Sequence, residues 1–298
     1  MSTMVPPLYA GLVDDASLLP PSPVGLDDAV LKHQEHTTSW YRDLIGSLLV
    51  PASIVGTEPL KPACGVGVRS APEIHTPVPG LTAVLIGDVP AAALPNTVEK
   101  LRSSGVVVKH VEAAVARRGE DPQPGLATLC TFAAAETGLP LYAEIPLSWG
   151  LLAALDSVAE ARADGLAIAP KFRVGGLAAE LFPTPVELAA VICACRDREL
   201  PFKLAAGLRH ATRHTDPETG FTHHGFLNVL VATVIAADGG EVAEVAEALA
   251  ATHPVPLVEP ARIHRDGPRP LFVGFGAANV VEPLTELVRL GLINGGYE

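Results

Sequence analysis

Eight short apolar runs, each followed by a stretch of helical periodicity or a loop that leads to one, constrain this chain more than any other feature. The runs are residues 12–16 (LVDDA), 47–51 (SLLVP), 82–88 (TAVLIGD), 106–114 (VVVKHVEAA), 141–146 (LYAEIP), 166–173 (LAIAPKFR), 201–207 (PFKLAAG) and 271–277 (LFVGFGA). Eight strands alternating with helices is the count that closes a (β/α)8 barrel of roughly 250 residues. The expected fold is therefore an α/β TIM barrel, a single domain spanning residues 1–298. A doubly wound open sheet is the alternative; it is disfavoured because no G-x-G-x-x-G follows the first run and no switch point is evident.

The intervening segments carry helix signals. Asp27 and Asp28 suit the first turn of a helix over about 26–44, and residues 91–104 read as a helix with Pro95 marking a start or a break. Gly138 and Gly165 stop two more, and Thr184 followed by Pro185 opens another. The last helix is read over 281–292. Two connections are long: a Pro/Gly-rich excursion at 52–80, with a short strand pattern at GVGVR that could cover one barrel end, and residues 208–270. The second holds two helical patterns followed by a Pro-rich stretch.

Composition narrows the class of function. With 33 acidic against 21 basic residues, a formal charge of −12 and no lysine or arginine stripe, nucleic acid is not an expected partner. The N-terminal segment lacks a basic stretch followed by an apolar one, and no apolar run reaches roughly 18 residues, so the expectation is a cytoplasmic protein with no membrane association. The four cysteines, Cys64, Cys130, Cys193 and Cys195, are scattered and read as reduced apolar fillers, not zinc ligands. A homo-oligomer is left open.

Two of the eight runs carry a lysine among apolar residues just before glycine: APKFRVGG with Lys171 and PFKLAAGLRH with Lys203. In a parallel barrel the carboxyl ends of strands host catalysis. A lysine desolvated there loses its preference for the ammonium form, which makes the free amine available as nucleophile or base. The structural alternative is an ion pair at a strand end.

Around the same mouth the pattern places Asp14, Asp15, Asp88, Glu112, Glu144, Arg173 and His210. Several carboxylates facing several cations is the arrangement that divides acid and base roles. By strand alternation Lys171 shares a face with Arg173, a cation pair suited to an anion, and Glu112 shares one with His110, which ranks below it. The loop LRHATRHTDPETGFTHHGFLN holds His210, His214, His223 and His224. Two readings stay open: a metal site completed by the barrel carboxylates, which no H-x-H or H-E-x-x-H signature supports, or substrate contact through His224 and Asn228, one helical turn apart. Gly207 with Arg209, and Gly274 with Gly276, match positions where barrels cradle phosphate through backbone N–H groups. Glycines that merely turn strand into loop are the alternative.

At APKFRVGG and PFKLAAGLRH the chain resembles class I aldolases of the deoxyribose-phosphate aldolase group. These carry a Schiff-base lysine on strand six and a second lysine on strand seven before a glycine turn. The resemblance implies that Lys171 forms the imine, that Lys203 lowers its pKa by like-charge repulsion, and that Glu112 or Glu144 shuttles protons. Phe-Arg-Val follows Lys171 where the family has small hydroxyl residues.

The leading expectation is thus a lyase of aldolase type acting on a small anionic carbonyl compound, phosphorylated or not. Lys171, Lys203, Glu112, Glu144 and Asp15 would be catalytic, Asp14 and Arg173 would help to bind the anion, and no organic cofactor is needed. A second reading uses lysine as a general base beside a divalent metal held by Asp14 or Asp15, Glu112 and Glu144. A third is a barrel that binds a ligand without turnover.

Overall fold

The first strand is only three residues long, β1 (Val13–Asp15), and it finds partners on both sides, which is how the sheet closes without an edge. A computed structural model describes residues 5–20, 23–55 and 80–295. Around the barrel after β1 come β2 (Ile45–Pro51), β3 (Thr82–Gly87), β4 (Val107–Ala114), β5 (Leu141–Glu144), β6 (Ile168–Arg173) and β7 (Phe202–Ala205). A two-stranded hairpin, β8 (His214–Thr215) with β9 (Thr222–His223), interrupts the series before β10 (Phe272–Ala277) returns to pair with both β7 and β1. The eight barrel strands are all parallel, so the architecture is the expected (β/α)8 barrel.

Helices α1 (Leu26–Thr38), α2 (Leu94–Ser103), α3 (Gln123–Ala135), α4 (Leu151–Ala163) and α5 (Pro185–Arg196) each follow a strand. The long connection after β7 carries α6 (Phe226–Ala237), α7 (Val242–Ala250) and α8 (Val255–Ile263), and α9 (Val281–Arg289) ends the described fold. The helix starts follow local chemistry. At α5 the Thr184 hydroxyl accepts from the Glu187 N–H and the Glu187 carboxylate accepts from the Thr184 N–H, a reciprocal cap. Pro95 falls in the first turn of α2, where a missing N–H costs nothing.

Two expectations need correction, and a third falls on residues that the structure does not describe. The helix over 26–44 stops at Thr38, and a short 3-10 turn at Arg42–Leu44 leads into β2. The Pro-rich stretch before β10 is itself helix α8, begun by Pro254 at its N-cap and tolerating Pro260 in its interior. The excursion at 52–80, including GVGVR, lies almost wholly outside the described residues.

The principal core lies between the outer face of the barrel and the helices, where Phe172, Phe202, Phe272 and Phe275 are fully buried together with most of α6, whose only polar residues are Asn228 and Thr233. A separate small apolar group, Ala16, Leu49 and Val84 with Leu19 and Ile86 packed on it, fills the β1–β3 side of the interior. Register carries that inner face round to β4: Val84 pairs with His110 and Ile86 with Glu112. The interior is therefore apolar on one side and charged on the other. Among the described residues no helix is long and apolar enough to cross a membrane.

Candidate active site

Period-two alternation puts His110 and Glu112 of β4, Tyr142 and Glu144 of β5, Lys171 of β6 and Lys203 of β7 on the inner face, and adjacent registers bring them together: Glu112 beside Tyr142, Glu144 beside Lys171, Lys171 beside Lys203. Asp14 joins them from β1.

The contacts form one chain of alternating charge. Asp14 Oδ2 accepts from Lys203 Nζ at 2.5 Å, and Lys203 also donates to Glu112 Oε1. The other oxygen of Glu112 stands 2.9 Å from Lys171 Nζ, which lies 2.9 Å from Glu144 Oε2 as well. Arg173 Nε closes the chain by donating to Glu144 Oε1 at 3.0 Å. Three carboxylates thus face two ammoniums and one guanidinium. The imidazole of His110 donates from Nε2 to Glu112 at 2.9 Å, packs edge-on against Tyr142 and sits 3.2 Å from Lys203 Nζ, which itself lies 5.4 Å from the centre of the Tyr142 ring.

This arrangement reverses one expectation. Burial works to lower both lysines, but Asp14 and Glu112 outweigh it at Lys203, as Glu112 and Glu144 do at Lys171, so both pKa values are raised. Burial works to raise Glu112, yet Lys171, Lys203 and the His110 hydrogen bond hold its carboxyl well below the usual range. Glu144 is also lowered, because Lys171 and Arg173 outweigh its burial. His110 is pushed down, chiefly by burial, and is neutral. Both lysines are ammoniums here; neither is the free amine that an apolar setting and like-charge repulsion would give.

Exposure separates the two lysines. Lys203 is 2% exposed and sealed below the chain, while Lys171 is 6% exposed and bonded to Glu144, whose side chain reaches the rim. Glu144 and Arg173 form part of the wall of a cavity of about 920 Å³ above the carboxyl ends of β5 and β6. Glu144 is therefore the link between that cavity and the buried charges.

Other residues predicted for the site lie elsewhere. Asp15 faces outward to α1, where it accepts from His33 Nδ1 at 3.2 Å and from the Ser17 N–H at 3.0 Å, so it does not join Asp14. Burial would raise it, but these bonds and His33 leave it lowered. The Asp88 carboxylate bonds the Ser53 N–H and hydroxyl. Arg209 and His210 pair with Glu282 and Glu286 of α9.

His224 is buried, donating to the Pro183 carbonyl at 2.8 Å and accepting from Arg213. Asn228 is fully enclosed; it accepts from the Arg213 N–H at 2.7 Å and donates to the carbonyls of Ala248 and Ala251 at 2.7 and 2.8 Å. Its polar atoms face backbone, not the barrel mouth.

The predicted phosphate glycines serve close approach. A Cβ at Gly274 would stand 2.7 Å from the Leu12 carbonyl oxygen, one at Gly276 2.9 Å from Leu49 Cδ1, and one at Gly207 2.9 Å from the Val174 carbonyl oxygen. Among the described residues no group of three or more His, Cys, Asp and Glu is placed to hold a metal. The carboxylates named for a metal are engaged by Lys203, Lys171, Arg173 or His33.

Sequence reasoning missed Tyr142, though it sits two residues before Glu144 and so on the same face. It also missed Gly46, where a Cβ would fall 2.0 Å from Asp14 Oδ1, and the pair Arg117–Arg118 at the cavity.

Fold and site together define a (β/α)8 barrel protein with a neutralised chain of buried charges on the β4–β7 side of its interior. Comparison with family models, with curated proteins and with solved structures finds no match.

Proposed function

We propose that this chain is a barrel enzyme in which Lys171 reacts with the carbonyl group of an anionic compound, in a lyase reaction of aldolase type. The observation that carries the reading is the placement of Lys171 against Glu144, whose second oxygen is held by Arg173. The two-segment resemblance to class I aldolases supports it.

An anion that draws Arg173 away leaves Glu144 with one cation fewer, which raises its basicity and favours transfer of a proton from Lys171 to it. The neutral amine then adds to the carbonyl carbon. Glu144 returns the proton to the departing hydroxyl, and water leaves as the iminium forms. The iminium accepts the electron pair of the neighbouring carbon–carbon bond while a carboxylate takes the proton of the β-hydroxyl, which gives an aldehyde and an enamine; the same carboxyl group returns that proton to the enamine carbon, and water hydrolyses the resulting iminium to release the lysine. Glu112, wedged between both lysines, holds them in place, and Lys203 anchors Glu112 to Asp14.

Borohydride reduction in the presence of a panel of 2-oxo acids and phosphorylated aldehydes tests this. A mass adduct on Lys171, lost in Lys171→Met, is the expected result. Equal trapping in wild type and Lys171→Met overturns it.

The raised pKa of both lysines favours a second reading, in which Lys171 keeps its proton and polarises the carbonyl while Glu144 abstracts the neighbouring proton. Deuterium incorporation from solvent without any trapped adduct separates this isomerase-like chemistry from the imine route. Ligand binding with neither signal identifies a barrel that binds without turnover.

A further inference from the structure

The rim cavity beside Glu144 carries more information about the ligand than the buried charges do. Its volume of about 920 Å³ lies near the top of the range for small-molecule sites, far more than a compound of a few carbons fills. Much of its wall is apolar, contributed by Ile145 and Leu147 after β5, Leu151 at the start of α4, Leu181 and Phe182 after β6, and Val191 of α5.

Two guanidiniums, Arg117 and Arg118, enter from the loop after β4. Arg118 donates one N–H to the Leu147 carbonyl at 2.8 Å and has further donors to offer. The Arg117 side chain has no hydrogen-bond or ion-pair partner among the described residues; its recorded contact with Glu120 is made by the backbone N–H. Of the acids that line the cavity, Glu187 is engaged in the α5 cap and Glu144 by Lys171 and Arg173, while Glu180, on the 3-10 turn after β6, is exposed to solvent.

The surface around the opening is unusual as well. Leu152 is an exposed large apolar side chain of the cavity wall itself, and Trp149 (70% exposed), Leu177 (94%) and Val186 lie in the same β5–α4 and β6–α5 connections or at the start of α5, four of the nine such side chains among the described residues. Such clustering at the edge of a concave site marks a place where apolar matter docks.

We infer that this cavity binds an amphipathic organic anion, a carboxylate or phosphate ester with an extended apolar body, whose charged group meets Arg117 and Arg118 and draws Arg173, which lines the same cavity, toward it. The apolar body lies against Leu147, Leu181 and Phe182 and reaches Trp149 and Leu152 at the rim. The inference deepens the reading of the barrel as a lysine-dependent enzyme, since it names the class of substrate that Glu144 and Lys171 would meet; the binding itself requires no turnover.

Calorimetric titration of the full chain with acetate, butanoate, hexanoate and octanoate, and with octan-1-ol as a neutral control, tests it. The expected result is affinity rising about two- to fourfold per added methylene, with octanoate binding at least tenfold more tightly than octan-1-ol. In Arg117→Gln/Arg118→Gln that preference for the anion falls to under threefold while octan-1-ol binding is retained. A flat chain-length series in the wild type, or octan-1-ol binding as tightly as octanoate, overturns the inference without recourse to any variant. In the wild type the chain-length series is read by calorimetry and the imine by borohydride trapping, so the series without an adduct overturns the imine reading alone, and an adduct without the series overturns this inference alone.

Discussion

Lys171 and Lys203 are register partners on β6 and β7, and they grip opposite oxygens of one carboxylate, Glu112. Two ammoniums side by side in a barrel interior would repel and deprotonate; the shared carboxylate, with Asp14 and Glu144 outside it, converts that repulsion into an alternating row. The row needs every member. A buried charge left without its partner costs more than the intact pair contributes.

Glu112→Gln should therefore destabilise the fold by about 3–5 kcal/mol, read from the urea midpoint at neutral pH. In the variant the two lysines face each other across a neutral amide, so their folded pKa values fall. Lys203 keeps Asp14 and Lys171 keeps Glu144, while the wild type loses the contribution of its raised lysines as pH rises above 10.5, so the deficit should shrink as pH passes upward through that value. A deficit constant across that rise would show that Glu112 does not mediate between the lysines.

Wild-type stability should form a broad plateau with a stepped acid limb. Burial pushes His224 down to about 4 from 6.5, so its contribution is complete above pH 6.5 and is lost as pH falls toward 4, about 3 kcal/mol in all. Glu112, Glu144 and Asp15, all lowered, add stability that is present above the unfolded carboxylate range and lost as pH falls through their folded values. Lys171 and Lys203, both raised, act in the opposite sense: their contribution is full below 10.5 and lost as pH rises above it. Denaturation followed from pH 3 to 11 checks all three limbs, and a single acid step below pH 4 would exclude the His224 contribution.

The barrel was legible because its evidence is local and repeated: period-two apolar runs, glycine stops and the Thr184 cap are each written within a few residues. Strand ends were legible for the same reason, so Glu112, Glu144, Lys171 and Lys203 were placed together. Direction along a strand was harder. Asp14 and Asp15 are adjacent carboxylates in a three-residue strand, too short for alternation to say which faces in, and the answer came from Gly46 and His33 on separate elements. The protonation of the lysines was misread because apolar neighbours in sequence say nothing of carboxylates that arrive from β1, β4 and β5. Asn228 looked like a ligand contact from its spacing to His224, whereas its partners lie at the end of α7 and in the residue just before β8.

Gly46→Ala should act on the site without replacing any charged residue. The added Cβ would fall 2.0 Å from Asp14 Oδ1, the oxygen that accepts from the Ser47 N–H at 2.8 Å, so Asp14 must swing away from both Ser47 and Lys203. A loss of about 2–4 kcal/mol is expected, and a variant within 0.5 kcal/mol of wild type would show that Asp14 is not tightly seated.

Asn228→Ala leaves the Arg213 N–H and two carbonyls without partners in a closed environment, at a cost of about 2–4 kcal/mol. Trapping of carbonyl compounds per folded molecule should be unchanged at low temperature. A stable variant with impaired trapping would return Asn228 to the list of substrate contacts.

Arg173→Gln separates stability from chemistry. The guanidinium is about half exposed, its side chain 47% accessible, so solvent screens its pairing with Glu144 and the fold should lose no more than about 1 kcal/mol. Glu144 loses one of the two cations that hold its carboxyl down, so its pKa should rise, while Lys171 keeps both of its carboxylate partners. If an anionic substrate is anchored by Arg173, the concentration giving half-maximal borohydride trapping should increase at least tenfold for anionic carbonyl compounds and little for neutral aldehydes. The maximal trapping rate should fall less, because Glu144 is already released to accept the Lys171 proton. Equal weakening for charged and neutral compounds would mean that Arg173 only positions Glu144, and the anion would then have to be held elsewhere on the cavity wall.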